Sequence, residues 1–189
     1  MILYLHGFRS GPQSWKARSL AARMAELGLG DRLWCEQLPV SARATMALAE
    51  AAIAASPRPP TLVGSSLGGY YATYLAEKHG LRAVVVNPAV LAPLSLSAYL
   101  GPQTHLYTGE TFDFTPAHID ELRALDVPAL SHPEHFWLLA ETGDEVLDYR
   151  HAVARYAGCR QTVLDGGDHS FTRWDAYLDP ILRFAGLIP

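Results

Sequence analysis

The residues best suited to covalent chemistry lie in Gly64-Ser65-Ser66-Leu67-Gly68. The pattern Gly-x-Ser-x-Gly sets a serine hydroxyl on a sharp turn from strand to helix, from which it can attack an acyl carbonyl. Context carries the argument further than the pattern. Thr61-Leu62-Val63-Gly64 is strand-like, and Gly69 to Lys78 is helix-like. The flanking glycines let strand and helix approach closely, and the helix N-terminus offers unpaired N–H groups and a favourable dipole beside the hydroxyl. Ser66 is therefore the candidate nucleophile, while Ser65, at the variable position, is expected to point away and pack or cap. Such a serine needs a base. His169 sits in Asp165-Gly166-Gly167-Asp168-His169-Ser170-Phe171, a glycine-rich loop able to carry an imidazole out over a sheet edge. The chain order Ser, acid, His also asks for a late histidine. His151 falls in a helix-like stretch and reads as a surface residue.

The base in turn needs a carboxylate to hold its tautomer and stabilise the imidazolium. Asp144 fits, in the turn Glu141-Thr142-Gly143-Asp144-Glu145-Val146 after the strand-like Phe136-Trp137-Leu138-Leu139. Asp148 is the leading rival, although it also suits the start of the next helix. Glu141 and Glu145 read as ordinary loop carboxylates. Asp168 adjoins His169, and neighbouring side chains in extended chain point apart, so it is expected to act only as an electrostatic neighbour. An oxyanion needs two backbone donors. Leu67, just after the nucleophile, should supply one. Phe8, in Tyr4-Leu5-His6-Gly7-Phe8 at the end of the first strand, should supply the other. His6 is read as a brace for that loop. Candidate pocket residues are Arg9, Tyr70 and Asn87, with Tyr99, Tyr107, Phe112 and Phe114 as substrate contacts or simple packing. Tyr70 could equally be a packed aromatic, and Asn87 could hold a loop. In the reaction these roles imply, His169 takes the Ser66 proton, Phe8 and Leu67 hold the oxyanion, and water releases the acyl group.

The elements that must position these residues alternate along the chain. Strand-like runs cover Ile2 to Leu5, Leu33 to Leu38, Thr61 to Gly64, Ala83 to Val86, Phe136 to Leu139 and Arg160 to Leu164. Helix-like runs cover Ser14 to Leu27, Ala44 to Ala55, Gly69 to Lys78, Leu147 to Ala157 and Ala176 to Phe184, where Pro180 could bend or divide the last. This rhythm predicts an α/β fold with a mostly parallel six-stranded sheet covered on both faces. Residues 88–133 break it. They hold Pro88, Pro93, Pro102, Pro116, Pro128 and Pro133, and should project from the C-terminal sheet edge, where ligands bind in open α/β sheets. They are read as a lid or cap insertion, the alternative being an excursion without a catalytic role.

Length and composition suit one domain over residues 1–189: 49% of residues are hydrophobic and 18% charged, with a formal net charge of −4. The basic residues form no positive stripe, so no nucleic acid is expected as a partner. No apolar run spans a bilayer and no signal-peptide pattern stands ahead of Ile2, which predicts a cytoplasmic protein without membrane insertion. Cys35 and Cys159 each adjoin an apolar run and are expected as buried thiols in a reducing compartment. No metal-ligand spacing occurs, and neither a metal nor another cofactor is expected. Nothing in the sequence sets an oligomeric state.

With those residues in view, the chain resembles the small bacterial YqiA-type esterases of the α/β-hydrolase superfamily. The markers are Leu3-Tyr4-Leu5-His6-Gly7-Phe8, Gly64-Ser65-Ser66-Leu67-Gly68-Gly69-Tyr70-Tyr71-Ala72, Asn87-Pro88-Ala89-Val90, Thr142-Gly143-Asp144-Glu145-Val146-Leu147-Asp148-Tyr149 and Gly166-Gly167-Asp168-His169-Ser170-Phe171. The resemblance implies Ser66, Asp144 and His169 as a catalytic triad. It also implies a compact α/β-hydrolase fold whose six strands lie in the order 2-1-3-4-5-6. One departure is Asp168, where relatives often carry a neutral residue such as Asn; a second carboxylate there would make the histidine more basic. The expected activity is hydrolysis of small-molecule carboxylic esters, short to medium in the acyl part. Alternatives are an acyl-CoA or other thioesterase using the same triad, an acyltransferase, or a non-catalytic binding protein on the same fold.

Overall fold

The computed structural model describes residues 1–189. The chain opens with β1 (Ile2–Leu5), α1 (Trp15–Glu26), β2 (Leu33–Trp34), α2 (Ala42–Ala55), β3 (Thr61–Ser65), α3 (Leu67–His79) and β4 (Arg82–Val86). An excursion follows, built from α4 (Ala92–Leu96), a hairpin of β5 (Gly101–Thr104) and β6 (Thr111–Phe114), and α5 (Pro116–Arg123). The chain then returns through β7 (Phe136–Glu141), α6 (Tyr149–Arg155), β8 (Arg160–Leu164) and α7 (Trp174–Phe184).

Six strands form a parallel sheet in the order β2-β1-β3-β4-β7-β8, which is 2-1-3-4-5-6 among the sheet strands. The central strands are near-continuous apolar runs because both their faces are covered. Successive side chains alternate between faces. Ile2 and Tyr4 pack with Val63, Val84 and Trp137 under α1 and α7. Leu3 and Leu5 pack with Leu62, Val85 and Leu138 under α2, α3 and α6. The register sets Leu5 beside Gly64, Ser65 beside Val86, and Val86 beside Leu139. The loops after β1, β3, β4 and β7 therefore leave the sheet along one C-terminal edge.

One strand expectation needs correction. The second strand ends at Trp34 instead of running to Leu38. Its continuation leaves the ladder to hold the loop after β1: the Leu38 N–H donates to His6 Nε2 at 3.0 Å and Gln37 Nε2 to the Ser10 carbonyl at 3.1 Å. Pro180 does not divide the last helix, which runs through it. One backbone bond is lost there, and the apolar stripe Trp174, Leu178, Ile181 and Leu182 is buried against the sheet. Cys35 and Cys159 are free and only half-buried. Residues 88–133 hold two α-helices and a hairpin. α5 is fixed to the body where Glu121 accepts from the Ser41 hydroxyl at 2.7 Å and the Arg43 N–H at 3.2 Å. No helix is long and apolar enough to cross a membrane.

Candidate active site

Ser66 stands at the β3–α3 turn with φ 55° and ψ −120°. Such a left-handed backbone is costly for a side chain with a Cβ and persists only where its surroundings hold it. Here the Ser66 N–H donates to the Val86 carbonyl at 3.0 Å, and its carbonyl accepts from Gly69 at 2.9 Å and Ala89 at 3.1 Å. The turn also needs two bare Cα atoms. A Cβ on Gly64 would strike the backbone of Gly68, and one on Gly68 would strike the carbonyls of Leu5 and His6. The Gly-x-Ser-x-Gly spacing is thus a packing requirement between β1, β3 and α3.

His169 reaches Ser66 from the loop after β8. Its Nε2 lies 3.0 Å from Ser66 Oγ and its Nδ1 2.8 Å from Asp144 Oδ2. An ionised carboxylate only accepts, so Nδ1 carries the proton and Nε2 presents its lone pair to the serine hydroxyl. The Asp144 side chain is 2% exposed, and its other oxygen accepts from the N–H groups of Val146 at 2.9 Å and Leu147 at 2.8 Å. Asp148 lies outside this chain of bonds. It caps α6 through the Arg150 N–H at 3.0 Å and pairs with the Arg150 guanidinium, which holds its carboxyl down at about 2. Asp168 turns its carboxylate to the Ser170 N–H at 2.8 Å.

The histidine loop is held from beneath by residues that the sequence underrated. Glu141, read as an ordinary loop carboxylate, is fully buried at the end of β7. Its Oε2 accepts from Asp168 N–H at 2.9 Å and Thr172 N–H at 3.2 Å, and Arg173 lies 3.4 Å from its Oε1. A carboxylate closing the apolar run Phe136 to Ala140 was the available signal. Glu145 accepts from the His169 N–H at 3.0 Å. Lys16 was not singled out. From the second residue of α1 it donates to the Ser170 carbonyl at 2.6 Å, and burial lowers its ammonium to about 8 against the opposing pull of Asp168, Glu141 and Asp144. A lysine on an amphipathic helix carries no signal for such a position.

The Phe8 N–H donates to no protein group. The Gly7 carbonyl is engaged by His6 Nδ1 at 2.9 Å and by the Ser10 N–H at 3.2 Å. In a trans peptide the N–H points opposite to the carbonyl, which turns the Phe8 N–H away from His6. Leu67 begins α3, so its N–H has no partner within the helix. A cleft of about 780 Å³ opens over Ser66 and His169 and is lined by Phe8, Arg9 and Leu67 as well. Leu91, Leu94, Leu96, Tyr99 and Leu106 from the excursion give it an apolar wall. Two expected pocket residues do not line it. Tyr70 is buried, its hydroxyl bonded to the Leu122 carbonyl at 2.9 Å. Asn87 is buried too. Its amide donates to the carbonyls of Asp168 at 3.0 Å and His169 at 3.2 Å and accepts from the Glu141 N–H at 3.0 Å, so it fastens the histidine loop to β7.

The family model for UPF0227, an uncharacterised protein family, matches residues 1–186. Among solved structures, a protein of Agrobacterium vitis S4 superposes with TM-score 0.73 at 21% identity, over 97% of this chain and 87% of the other. A Paleococcus ferrophilus monoacylglycerol lipase gives TM-score 0.70 at 14% identity, over 99% and 94%. Mouse alpha/beta hydrolase domain-containing protein 10 gives 0.68 at 16%, over 96% and 89%. These likenesses establish the α/β-hydrolase fold.

Proposed function

This chain belongs to the uncharacterised family UPF0227, and we propose that it is a serine esterase with Ser66 as nucleophile, His169 as base and Asp144 as the triad acid. The observation that carries the reading is the continuous chain Ser66 Oγ, His169, Asp144, at 3.0 and 2.8 Å. The motif resemblance to YqiA-type esterases supports it, as do the kinds of enzyme that share the fold.

His169 Nε2 takes the Ser66 proton as Oγ attacks the carbonyl carbon. The charge that develops on the carbonyl oxygen falls to the N–H groups of Phe8 and Leu67. The imidazolium, steadied by Asp144, gives its proton to the departing alkoxide, leaving an acyl-enzyme. Water, deprotonated by the same nitrogen, attacks in turn, and the imidazolium returns that proton to Ser66 Oγ as the acid leaves. The apolar wall from residues 88–133 suits a short to medium acyl group, and this segment acts as the cover of the site within a single domain spanning residues 1–189.

The test is steady-state turnover of a graded series of p-nitrophenyl esters and acyl-CoA thioesters, beside Ser66→Ala. We expect the ester series to turn over with a chain-length optimum and the variant to lose about 10⁴-fold or more in kcat. Preference for the thioesters would move the assignment to a thioesterase with the same triad. Equal inactivity of wild type and variant on every substrate would remove the reading.

A further inference from the structure

The loop that carries Phe8 belongs to no helix or strand, yet the reaction asks it to hold one N–H in a fixed direction. From one side it is tied by His6 and Leu38. From the other it is gripped by the excursion. The Phe8 ring sits edge-on among Tyr99, Phe112 and Phe114, at centroid distances of 5.7, 6.0 and 5.0 Å. Such contacts add to simple burial in fixing a ring's place. The next residue is held as well. Arg9 has φ 57°, a conformation that needs support in a residue other than glycine. Its carbonyl accepts from the Leu106 N–H at 2.8 Å, its guanidinium donates to Gln103 Oε1 at 3.0 Å, and the same group lies 5.9 Å from the Tyr99 ring centroid.

We propose that the β5–β6 hairpin is a positioning device for the oxyanion donor: by gripping Phe8 and Arg9 it keeps the Phe8 N–H aimed at the oxygen over Ser66. The proposal rests on the serine-esterase reading and gives a role in it to side chains that never meet substrate. Phe112 and Phe114 do not line the cleft, so they act on the reaction indirectly, and Phe8 is the ring that both of them touch. The hairpin is accordingly a fixed brace. A lid that opened by swinging it outward would draw Phe8 from its socket and lose the donor.

Phe112→Ala, Phe112→Tyr and Gln103→Ala are compared with wild type on the best ester. Each is also titrated with an alkyl trifluoromethyl ketone, which adds to Ser66 and sets an anionic oxygen against the same donors. Misplacing one donor by about 1 Å is expected to lower kcat of Phe112→Ala about 10- to 100-fold, with KM within about twofold and ketone affinity falling in step with kcat. Phe112→Tyr, which keeps the ring, should recover most of the loss. Gln103→Ala, a change at a half-buried polar side chain, should shift kcat and ketone affinity the same way by about threefold to tenfold.

Unchanged kcat in a folded Phe112→Ala protein overturns the proposal. So does a loss of activity with ketone affinity intact. Should Phe112→Ala fail to fold, Gln103→Ala decides, and wild-type kcat and ketone affinity there overturn it. A wild-type protein without esterase turnover rejects the underlying reading; failure of the brace alone leaves wild-type turnover in place.

Discussion

His6 shows how much of the site depends on side chains that perform no chemistry. Its Nδ1–H donates to the Gly7 carbonyl and its Nε2 accepts from Leu38 N–H, so both ring nitrogens are used in the neutral form. A proton on Nε2 would face the Leu38 N–H with no acceptor between them. Burial points the same way and lowers the imidazole to about 4. The unfolded chain titrates near the ordinary value of about 6.5 and binds more protons than the fold between those two values, so stability rises with pH there. The contribution is complete above about 6.5, is lost as pH falls toward 4, and amounts to about 3 kcal/mol. Urea midpoints of wild type and His6→Gln, followed from pH 7.5 to 4, measure it. The variant should be less stable at pH 7.5 and flatter across the window, whereas parallel curves would refute the assignment. Glu141 is the second such residue. Glu141→Ala leaves the N–H groups of Asp168 and Thr172 without their acceptor, and should cost about 3 kcal/mol in urea unfolding. It should lower kcat through the loosened His169 loop as well. A variant as stable as wild type would mean that water replaces the carboxylate.

At the scale of elements, the proposed mechanism divides two aspartates four residues apart between chemistry and architecture. Asp144 lies in the turn after β7 and bonds His169, while Asp148 caps α6. Asp144→Asn should lower kcat about 10⁴-fold by admitting the wrong imidazole tautomer, with the fold kept. Asp148→Ala should show chiefly as a small drop in melting temperature from the lost cap. Equal kinetic losses in the two variants would undo the division. The same elements show what could be read in advance. β3, β4 and β7 were legible because their buried runs are long and uninterrupted, and the Ser66 turn because its glycines are forced by backbone contact. The β5–β6 hairpin was not legible. Gly101-Pro102-Gln103-Thr104 has little intrinsic strand preference, and its place is fixed by Phe8 and Arg9, which are distant in sequence. β2 was overread for a similar reason, since Gln37 and Leu38 trade ladder bonds for bonds to the loop after β1. Tyr70 and Asn87 lie close in sequence to the functional turns, and only the fold decides that they point into structure rather than into the cleft.

At the scale of the whole molecule, strand order decides the fate of the two thiols. Cys35 follows β2 and Cys159 precedes β8, and these strands are the two edges of the six-stranded sheet. Five inter-strand steps separate the edges by about 24 Å, whereas a disulfide needs Cα atoms within about 7 Å. No internal bridge can form without dismantling the sheet between them. Nor is either thiol disposed to react. Burial raises Cys35 to about 12 and Cys159 to about 11, and the thiolate is the reactive form. Neither residue lines the cleft over Ser66. The parallel sheet therefore predicts a protein indifferent to redox conditions. Melting temperature and ester turnover should be the same with and without reductant. A thiol reagent should label the native protein slowly, then titrate both cysteines once it is unfolded. A melting temperature that drops on reduction in a protein that stays monomeric throughout would require the two edges to meet, and would overturn the strand order β2-β1-β3-β4-β7-β8.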